Sequence, residues 1–180
     1  MKRAIIIHGW GQRPNQEWLP WLAYELEKEG WQVDLPAMPH ADFPKLKEWT
    51  DSLIGLKPNK QTVLIGHSLA NALILKYLEK EDAKVKGVIL IAAWDYLLSD
   101  LKKEHGTFFK SGFNYEKVKG NKSKKIIIQS TNDPYLDFNK AKLLAEKIGA
   151  KFIPVKKAGH FMERDGYKKF QLLLKIVKNL

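Results

Sequence analysis

Cysteine is absent from this chain of 180 residues. Its absence excludes disulfide bonds, thiolate metal sites and a cysteine nucleophile, and it is typical of a reducing compartment. Long apolar runs are also absent: the stretch at residues 4–7 ends at His8, too short for a secretory signal. No run approaches the roughly 18 apolar residues of a membrane span. We therefore expect a soluble cytoplasmic protein that is not associated with a membrane.

Arginine is scarce although the chain is strongly basic. The net charge is +11, from 31 Lys and Arg against 20 Asp and Glu, yet the only arginines are Arg3, Arg13 and Arg164. Base readout and bidentate phosphate contacts favour arginine, and here the lysines are scattered along the chain. The pattern indicates a solvated lysine-rich surface and no nucleic-acid partner; it does not indicate a protein partner either.

What the chain does contain is a regular alternation of short apolar runs with amphipathic segments of helix length. Hydrophobic residues make up 44% of the chain, enough for a sizeable core, and the length suits one domain over residues 1–180. The alternation predicts an α/β fold in three layers, with helices on both faces of a mostly parallel sheet. The predicted strands are residues 3–7, 31–35, 62–65, 85–92, 124–129 and 151–155. The predicted helices are residues 16–30, 43–56, 68–80, 137–148 and 167–179.

Residues 93–122 break this alternation and are rich in aromatic side chains. An irregular segment of this length is usually a lid, a binding loop or a missed helix. Its aromatic residues either pack the segment onto the core or line a pocket for an acyl or aromatic group. The candidate contacts with substrate are Gly9, His67, Trp94, Phe108, Phe109 and Phe161.

A candidate nucleophile lies where the third strand meets the third helix. Residues 66–70 read Gly-His-Ser-Leu-Ala, and a serine two residues after a glycine at such a junction is the setting of a nucleophile elbow. The turn would expose the hydroxyl of Ser68 at the edge of the sheet. Ala70 departs from the usual pattern, which has glycine there, but one added methyl group is expected to leave the turn intact.

A serine hydroxyl needs a base, usually a histidine that a carboxylate holds in place. His160 directly follows the last strand, at the edge where Ser68 is expected, because ligand sites collect at the carboxyl ends of parallel strands. Asp133 follows the fifth strand and is the natural carboxylate. Asp133 could instead be a local turn residue, Asp137 a helix cap, and Asp95 a rival acid after the fourth strand. The order Ser, Asp, His is that of α/β-hydrolases.

The oxyanion of an acyl-transfer intermediate needs backbone donors. The first expected donor is the N–H of Leu69, which follows the nucleophile. The second should come from the glycine-containing loop after the first strand, and the Trp10 amide is the best candidate.

These motifs resemble the small serine hydrolases of the YdeN and retinoblastoma-binding-protein type. The resemblance spans nearly the whole chain and rests on residues 5–9, 35–39, 65–69, 130–134 and 159–161, together with Trp49. It implies a compact α/β-hydrolase fold without a large cap domain, the triad Ser68, Asp133 and His160, and no metal or organic cofactor.

The resulting hypothesis is a serine hydrolase that cleaves carboxylic esters of small acyl substrates through an acyl-enzyme. Two alternatives remain open. An amidase or peptidase would use the same triad, and a protein-interaction module could reuse the scaffold without catalysis.

Overall fold

The computed structural model describes residues 1–80, 82–98 and 102–180, with the side chains of residues 102–104 left aside. The strands are β1 (Arg3–Ile7), β2 (Gln32–Asp34), β3 (Thr62–His67), β4 (Gly87–Ile91), β5 (Lys124–Ser130) and β6 (Lys151–Val155). The helices are α1 (Leu19–Lys28), α2 (Leu46–Gly55), α3 (Ala70–Leu78), α4 (Lys102–Phe109), α5 (Tyr115–Gly120), α6 (Phe138–Ile148) and α7 (Gln171–Lys178).

The six strands form one open sheet in the order β2-β1-β3-β4-β5-β6, and every neighbouring pair is parallel. Helix α1 packs with α7 on one face, while α2, α3, α5 and α6 pack in sequence on the other. Right-handed crossovers explain this division. The connection from β1 to β2 runs in one direction along the sheet, and the later connections from β2 to β6 run in the opposite direction, so their helices lie on opposite faces. The predicted three-layer α/β architecture is confirmed, and the sheet is entirely parallel.

The apolar sequence of the middle strands reflects burial on both faces of the sheet. All six residues of β3 and all five of β4 are buried. Helix α3 covers these strands and is buried at eight of its nine positions. The buried residues are Ala70, Asn71, Ala72, Leu73, Ile74, Leu75, Tyr77 and Leu78. Parallel strands enclosed by helices read as continuous apolar runs, as these do.

The aromatic-rich segment at residues 93–122 contains two helices that the sequence did not predict, α4 and α5. Both helices are short, with eight and six residues, so hydrophobic periodicity did not predict them. Part of the predicted excursion, residues 99–101, lies outside the described residues. The prediction for helix α1 also differs: it begins at Leu19, because Glu17 has a left-handed backbone (φ 57°) that a helix cannot include.

In the described part of the chain, no helix is long and apolar enough to cross a membrane.

Gly66 lets helix α3 approach the end of β3 closely. A Cβ built at Gly66 would lie 2.7 Å from Ile74 Cδ1 and 2.8 Å from Asn71 Oδ1. The Asn71 side chain cannot easily withdraw, because its Nδ2 donates to the carbonyls of Ile91 (2.7 Å) and Ala92 (3.1 Å). The glycine therefore fixes how tightly the turn after β3 packs against the start of the helix.

We expect Gly66→Ala to lower the free energy of unfolding by about 1–3 kcal/mol, the usual cost of overpacking. Urea unfolding followed by circular dichroism measures it. Gly55→Ala is the matched control, because no atom lies within 4 Å of its Cβ position. Equal midpoints for the two variants would contradict the close approach inferred at Gly66.

Candidate functional site

The connections that follow β1, β3, β4, β5 and β6 meet at the carboxyl edge of the sheet and line a cavity of about 490 Å³. Its described lining is mostly apolar or aromatic with a few polar groups, and consists of Trp10, Gln12, Ser68, Trp94, Leu98, His105, Tyr135, Leu136, His160, Met162 and Arg164. Concave apolar sites with a few convergent polar groups are typical of small-molecule binding.

Ser68 occupies a strained turn between β3 and α3. Its backbone is left-handed, with φ 53°, while its N–H still donates to the Ile91 carbonyl at 2.9 Å, as if the strand continued. Non-glycine residues are rarely held in this region, and such strain clusters at functional sites. Ala70 is fully buried at the start of the helix, so its methyl group is accommodated in the turn. Among the described residues, the Ser68 hydroxyl has no hydrogen-bond partner, and Ser68 is half-buried.

His160 and Asp133 form a direct hydrogen bond that joins the loops after β5 and β6. His160 Nδ1 lies 2.8 Å from Asp133 Oδ2, and the Asp133 side chain is fully inaccessible to solvent. The other oxygen, Oδ1, accepts the backbone N–H groups of Tyr135 (2.9 Å) and Leu136 (3.1 Å). Asp133 is therefore a turn residue and a histidine partner at once. Because the carboxylate accepts from Nδ1, the Nε2 of His160 is left to act as the acceptor in the cavity.

Asp95, the rival acid, is engaged elsewhere, and Asp137 is a helix cap as expected. Asp95 Oδ2 accepts the Tyr115 hydroxyl at 2.7 Å and pairs with Lys147 at 3.2 Å. Burial, and then the hydrogen bond to Asp95, raise the pKa of Tyr115. Asp137 caps helix α6 by accepting the N–H of Lys140 at 2.9 Å.

The loop after β1 is held by two contacts to Gly9. The Gly9 N–H donates to Gln12 Oε1 at 2.7 Å, and the Gly9 carbonyl accepts from His8 Nδ1 at 2.8 Å. The N–H of Met38 donates to His8 Nε2 at 3.0 Å, which fixes the neutral tautomer with the proton on Nδ1. Burial lowers the pKa of His8, in agreement with that neutral state.

These contacts aim the amide of Trp10. In a trans peptide the C=O and the following N–H point in opposite directions, so anchoring the Gly9 carbonyl on His8 directs the Trp10 N–H the other way. A Cβ on Gly9 would lie 3.2 Å from the Cβ of Ser68, which places this peptide beside the serine. Within the described chain, neither the Trp10 N–H nor the Leu69 N–H has a protein acceptor.

His67 is fully buried behind the serine and does not line the cavity. Its ring nitrogens lie 2.9 Å from Gln12 Oε1 and 2.9 Å from the carbonyl of His160. Burial, and then the proximity of His160, lower the pKa of His67 to about 3. A neutral imidazole has one N–H, so only one of the two contacts is a donated hydrogen bond. His67 connects the loop after β1 to the backbone of His160.

The other predicted substrate contacts divide between the cavity and the core. Trp94 lines the cavity. Phe109 lies behind it, with ring centroids 4.5 Å apart, and does not reach the cavity. Phe108 is fully buried against Trp49, and Phe161 is fully buried in a stack on Phe170, with ring centroids 5.2 Å apart. Phe108 and Phe109 therefore pack helix α4 onto the core, and Phe161 packs the loop after β6, because a side chain buried on all sides has no face left for a ligand.

Sequence reasoning missed several cavity residues, although the positions of some carried a signal. Tyr135 and Leu136 come two and three residues after Asp133, while Met162 and Arg164 come two and four residues after His160, so all four lie in the connections at the carboxyl edge. His105 lies in the segment that was predicted to be irregular, but it belongs to helix α4 and faces Trp10, with ring centroids 4.6 Å apart. In residues 1–80, 82–98 and 102–180, no three His, Asp or Glu side chains form a group that could hold a metal ion.

Asp165 fixes the loop that carries His160, and its sequence position gave no sign of this role. Asp165 Oδ2 accepts the backbone N–H of His160 at 2.9 Å and that of Met162 at 3.1 Å. The carboxylate lies against Gly159, whose φ is +56° and whose Cβ would come within 2.3 Å of Asp165 Cγ. No residue with a side chain fits at Gly159 while Asp165 holds this position.

Known proteins resemble this chain over nearly its whole length. The family model described as "Serine hydrolase" matches residues 4–179. YdeN of Bacillus subtilis (strain 168) is 29% identical over 98% of this chain and 94% of its own length. The protein described as "Serine hydrolase RBBP9" of Rattus norvegicus is 26% identical, over 99% of this chain and 95% of its own.

Solved structures show the same fold. The crystal structure of the ydeN gene product from B. subtilis superposes with a TM-score of 0.90 at 29% identity, covering 99% of this chain and 98% of the other. A meta-cleavage product hydrolase from Pseudomonas fluorescens IP01 superposes with a TM-score of 0.71 over 99% of this chain and 91% of the other, at 15% identity. The second likeness supports the fold alone. The predicted α/β-hydrolase fold is confirmed.

We expect Asp165→Ala to lower the free energy of unfolding by about 2 kcal/mol, because two N–H groups lose a charged acceptor. Amide hydrogen exchange at His160 and Met162 should accelerate at the same time. Glu163→Ala is the control, since Glu163 is exposed and its carboxylate pairs with Lys168 at 3.2 Å. Unchanged exchange at His160 in Asp165→Ala would show that the carboxylate does not hold this loop.

The depressed pKa of His67 predicts a loss of stability in mild acid. The unfolded chain binds a proton at His67 below its ordinary pKa of 6.5, whereas the folded protein binds it only near 3. Stability is therefore unaffected by this residue above pH 6.5 and falls as the pH drops below it, by roughly 2 kcal/mol by pH 5. His8, also depressed, acts in the same direction.

Urea unfolding at several pH values tests this assignment. His67→Gln should flatten the dependence below pH 6.5, whatever its effect on absolute stability. An unchanged slope in His67→Gln would contradict a buried neutral His67.

Proposed function

The chain belongs to the serine hydrolase family, and from this premise we propose that it hydrolyses carboxylic esters of small acyl substrates. Ser68 acts as the nucleophile, His160 as the general base and then general acid, and Asp133 as the residue that orients the imidazole. The strained turn at Ser68 serves as the nucleophile elbow.

One observation carries the proposal. The His160 imidazole donates through Nδ1 to the inaccessible carboxylate of Asp133 at 2.8 Å, and the same histidine lines a cavity with Ser68. A carboxylate that is buried, bonded to two amides and bonded to a histidine has little freedom to serve any purpose except orientation. The described structure gives the Ser68 hydroxyl no other partner, and catalytic hydrogen bonds to a base such as Nε2 often form only when substrate binds.

In the first half-reaction the Ser68 oxygen attacks the ester carbonyl carbon while its proton passes to His160 Nε2. The carbonyl π electrons move to oxygen, and the N–H groups of Leu69 and Trp10 bind the resulting oxyanion. The C–O bond to the alcohol then breaks, His160 returns its proton to the leaving alkoxide, and an acyl-serine remains. Asp133 stabilises the imidazolium during the transfer.

In the second half-reaction a water molecule attacks the acyl-serine carbonyl carbon. His160 Nε2 takes a proton from this water, and the same two amides bind the second oxyanion. Expulsion of the Ser68 oxygen, which recovers the proton from His160, releases the carboxylic acid and regenerates the enzyme. Neither half-reaction requires a group from outside the chain except substrate and water.

The lining of the cavity favours acyl groups that are apolar and modest in size. Trp94, Leu98, Leu136 and Met162 provide apolar surface near the serine. About 490 Å³ is within the range of small-molecule sites, toward its lower end.

We expect Ser68→Ala to reduce p-nitrophenyl acetate turnover by at least about a thousandfold, as removal of a serine nucleophile does in this mechanism. A fluorophosphonate probe should label the wild-type protein at Ser68 and leave the variant unlabelled. Ser111→Ala, at an exposed serine outside the cavity, should label and turn over as wild type does.

Two outcomes would replace the proposal. Folded wild-type protein that resists the probe would favour a non-catalytic interaction module. Faster cleavage of the p-nitroanilide than of the p-nitrophenyl ester of the same acid would favour an amidase, because the two substrates differ only in the leaving group.

A further inference from the structure

Arg164 is a cationic side chain at the edge of the cavity, in a described lining that is otherwise largely apolar. Arg164 is exposed and follows His160 by four residues in the loop after β6. No lysine contributes to the described lining, although the chain is rich in lysine. The positive charge in the described lining of the cavity therefore comes from Arg164 and not from the lysines of the general surface.

The pairing of Arg164 differs from that of the other two arginines. Arg3 is bonded to Asp34 at 2.7 Å, and Arg13 to Asp42 at 2.7 Å. Among the described residues, no carboxylate lies within 4.0 Å of the Arg164 guanidinium. A guanidinium has five N–H donors in a planar fork that suits a carboxylate, and most of those of Arg164 are free of protein acceptors.

Tyr135 holds this guanidinium in a defined position. The Tyr135 hydroxyl accepts from Arg164 Nη2, and the guanidinium carbon lies 5.7 Å from the centre of the Tyr135 ring. The same ring packs edge to face on the His160 imidazole, with centroids 5.1 Å apart. The cation is thus placed next to the proposed catalytic machinery but separated from it by one aromatic ring.

The carboxylates that flank Arg164 in sequence have other partners. Glu163 pairs with Lys168 at 3.2 Å, and Asp165 accepts the amides of His160 and Met162. They do not neutralise the guanidinium by direct contact. The net charge of +11 also favours the approach of anions to the protein.

We infer that Arg164, presented by Tyr135, is a specificity residue for esters that carry a carboxylate at the far end of an apolar portion. The apolar portion lies along Trp94, Leu136 and Met162, the ester carbonyl at Ser68, and the distal carboxylate against the guanidinium. The inference rests on the proposed ester hydrolysis and names the substrate class of the same site.

Matched ester pairs test this assignment. Mono-p-nitrophenyl adipate and suberate are compared with p-nitrophenyl hexanoate and octanoate, which have the same acyl lengths without the carboxylate. A second pair, 4-acetoxybenzoate and 4-acetoxybenzamide, places the charge on the leaving group. The measured quantity is the ratio of kcat/KM for the acidic ester to that for its neutral partner, after subtraction of spontaneous hydrolysis.

In Arg164→Gln we expect this ratio to fall about tenfold for at least one pair, the effect of losing one charge-assisted contact at an exposed position. Arg164→Lys should retain part of the ratio, because the charge remains while the planar fork is lost. Lys169→Gln removes the same charge from an exposed position outside the cavity and should retain the wild-type ratio. Added salt should lower the ratio in the wild type.

The outcomes distinguish a wrong role for Arg164 from a wrong assignment of ester hydrolysis. Neutral esters cleaved by the wild type, with ratios that Arg164→Gln leaves unchanged in every pair, would overturn the role of Arg164 alone. Equal losses for both members of each pair would also overturn it, by showing that Arg164 supports Tyr135 without recognising charge. Failure of the wild type to cleave any ester or to react with the probe would overturn the proposed function and this assignment together.

Discussion

The parallel direction of all six strands is the constraint on which the site depends. Because each strand ends at the same edge, the loops after β1, β3, β5 and β6 emerge together, although Gly9 and His160 are far apart in sequence. β1 and β3 are neighbours, which brings Gly9 to Ser68, and β5 and β6 are neighbours, which brings Asp133 to His160. The crossover rule for parallel strands then assigns the helices to the two faces.

Within that frame, the site is held by polar contacts that are individually expensive to bury. His67 has both ring nitrogens against oxygens, one on the Gln12 side chain and one on the His160 backbone, and it is fully buried. A buried polar group stabilises a structure only when it is bonded, and removing a partner leaves the rest desolvated without compensation. The hydrogen bond that neutral His67 donates therefore favours a definite relative position of the two loops, since displacement of the acceptor would leave the N–H unsatisfied. His8 acts similarly on Gly9 from the other side.

The strand pattern and the proposed triad could be predicted because local signals and topology agree at those positions. Buried strands such as β4 read as apolar runs, and Ser68, Asp133 and His160 all follow strand ends. Helices α4 and α5 could not be predicted from periodicity, because they have only eight and six residues. The roles of the aromatic residues near the site could not be predicted either, because an aromatic side chain there can face the ligand or the core. Only the packing shows that Trp94 lines the cavity and Phe161 is buried in the core. The role of Asp165 depends on a turn that brings its carboxylate back onto Gly159, which no spacing rule describes.

The way Asp165 closes the loop after β6 limits how this protein can change its substrate. The contact joins residues five apart, so an insertion or deletion between His160 and Asp165 would shift the histidine and break the ring of bonds. The Arg164 side chain takes no part in that closed ring, and its hydrogen bond within the described chain is to Tyr135. Evolution or engineering can therefore exchange this side chain freely but cannot alter the length of the loop. New selectivity at this rim must arise by point substitution, with the geometry of the histidine inherited unchanged.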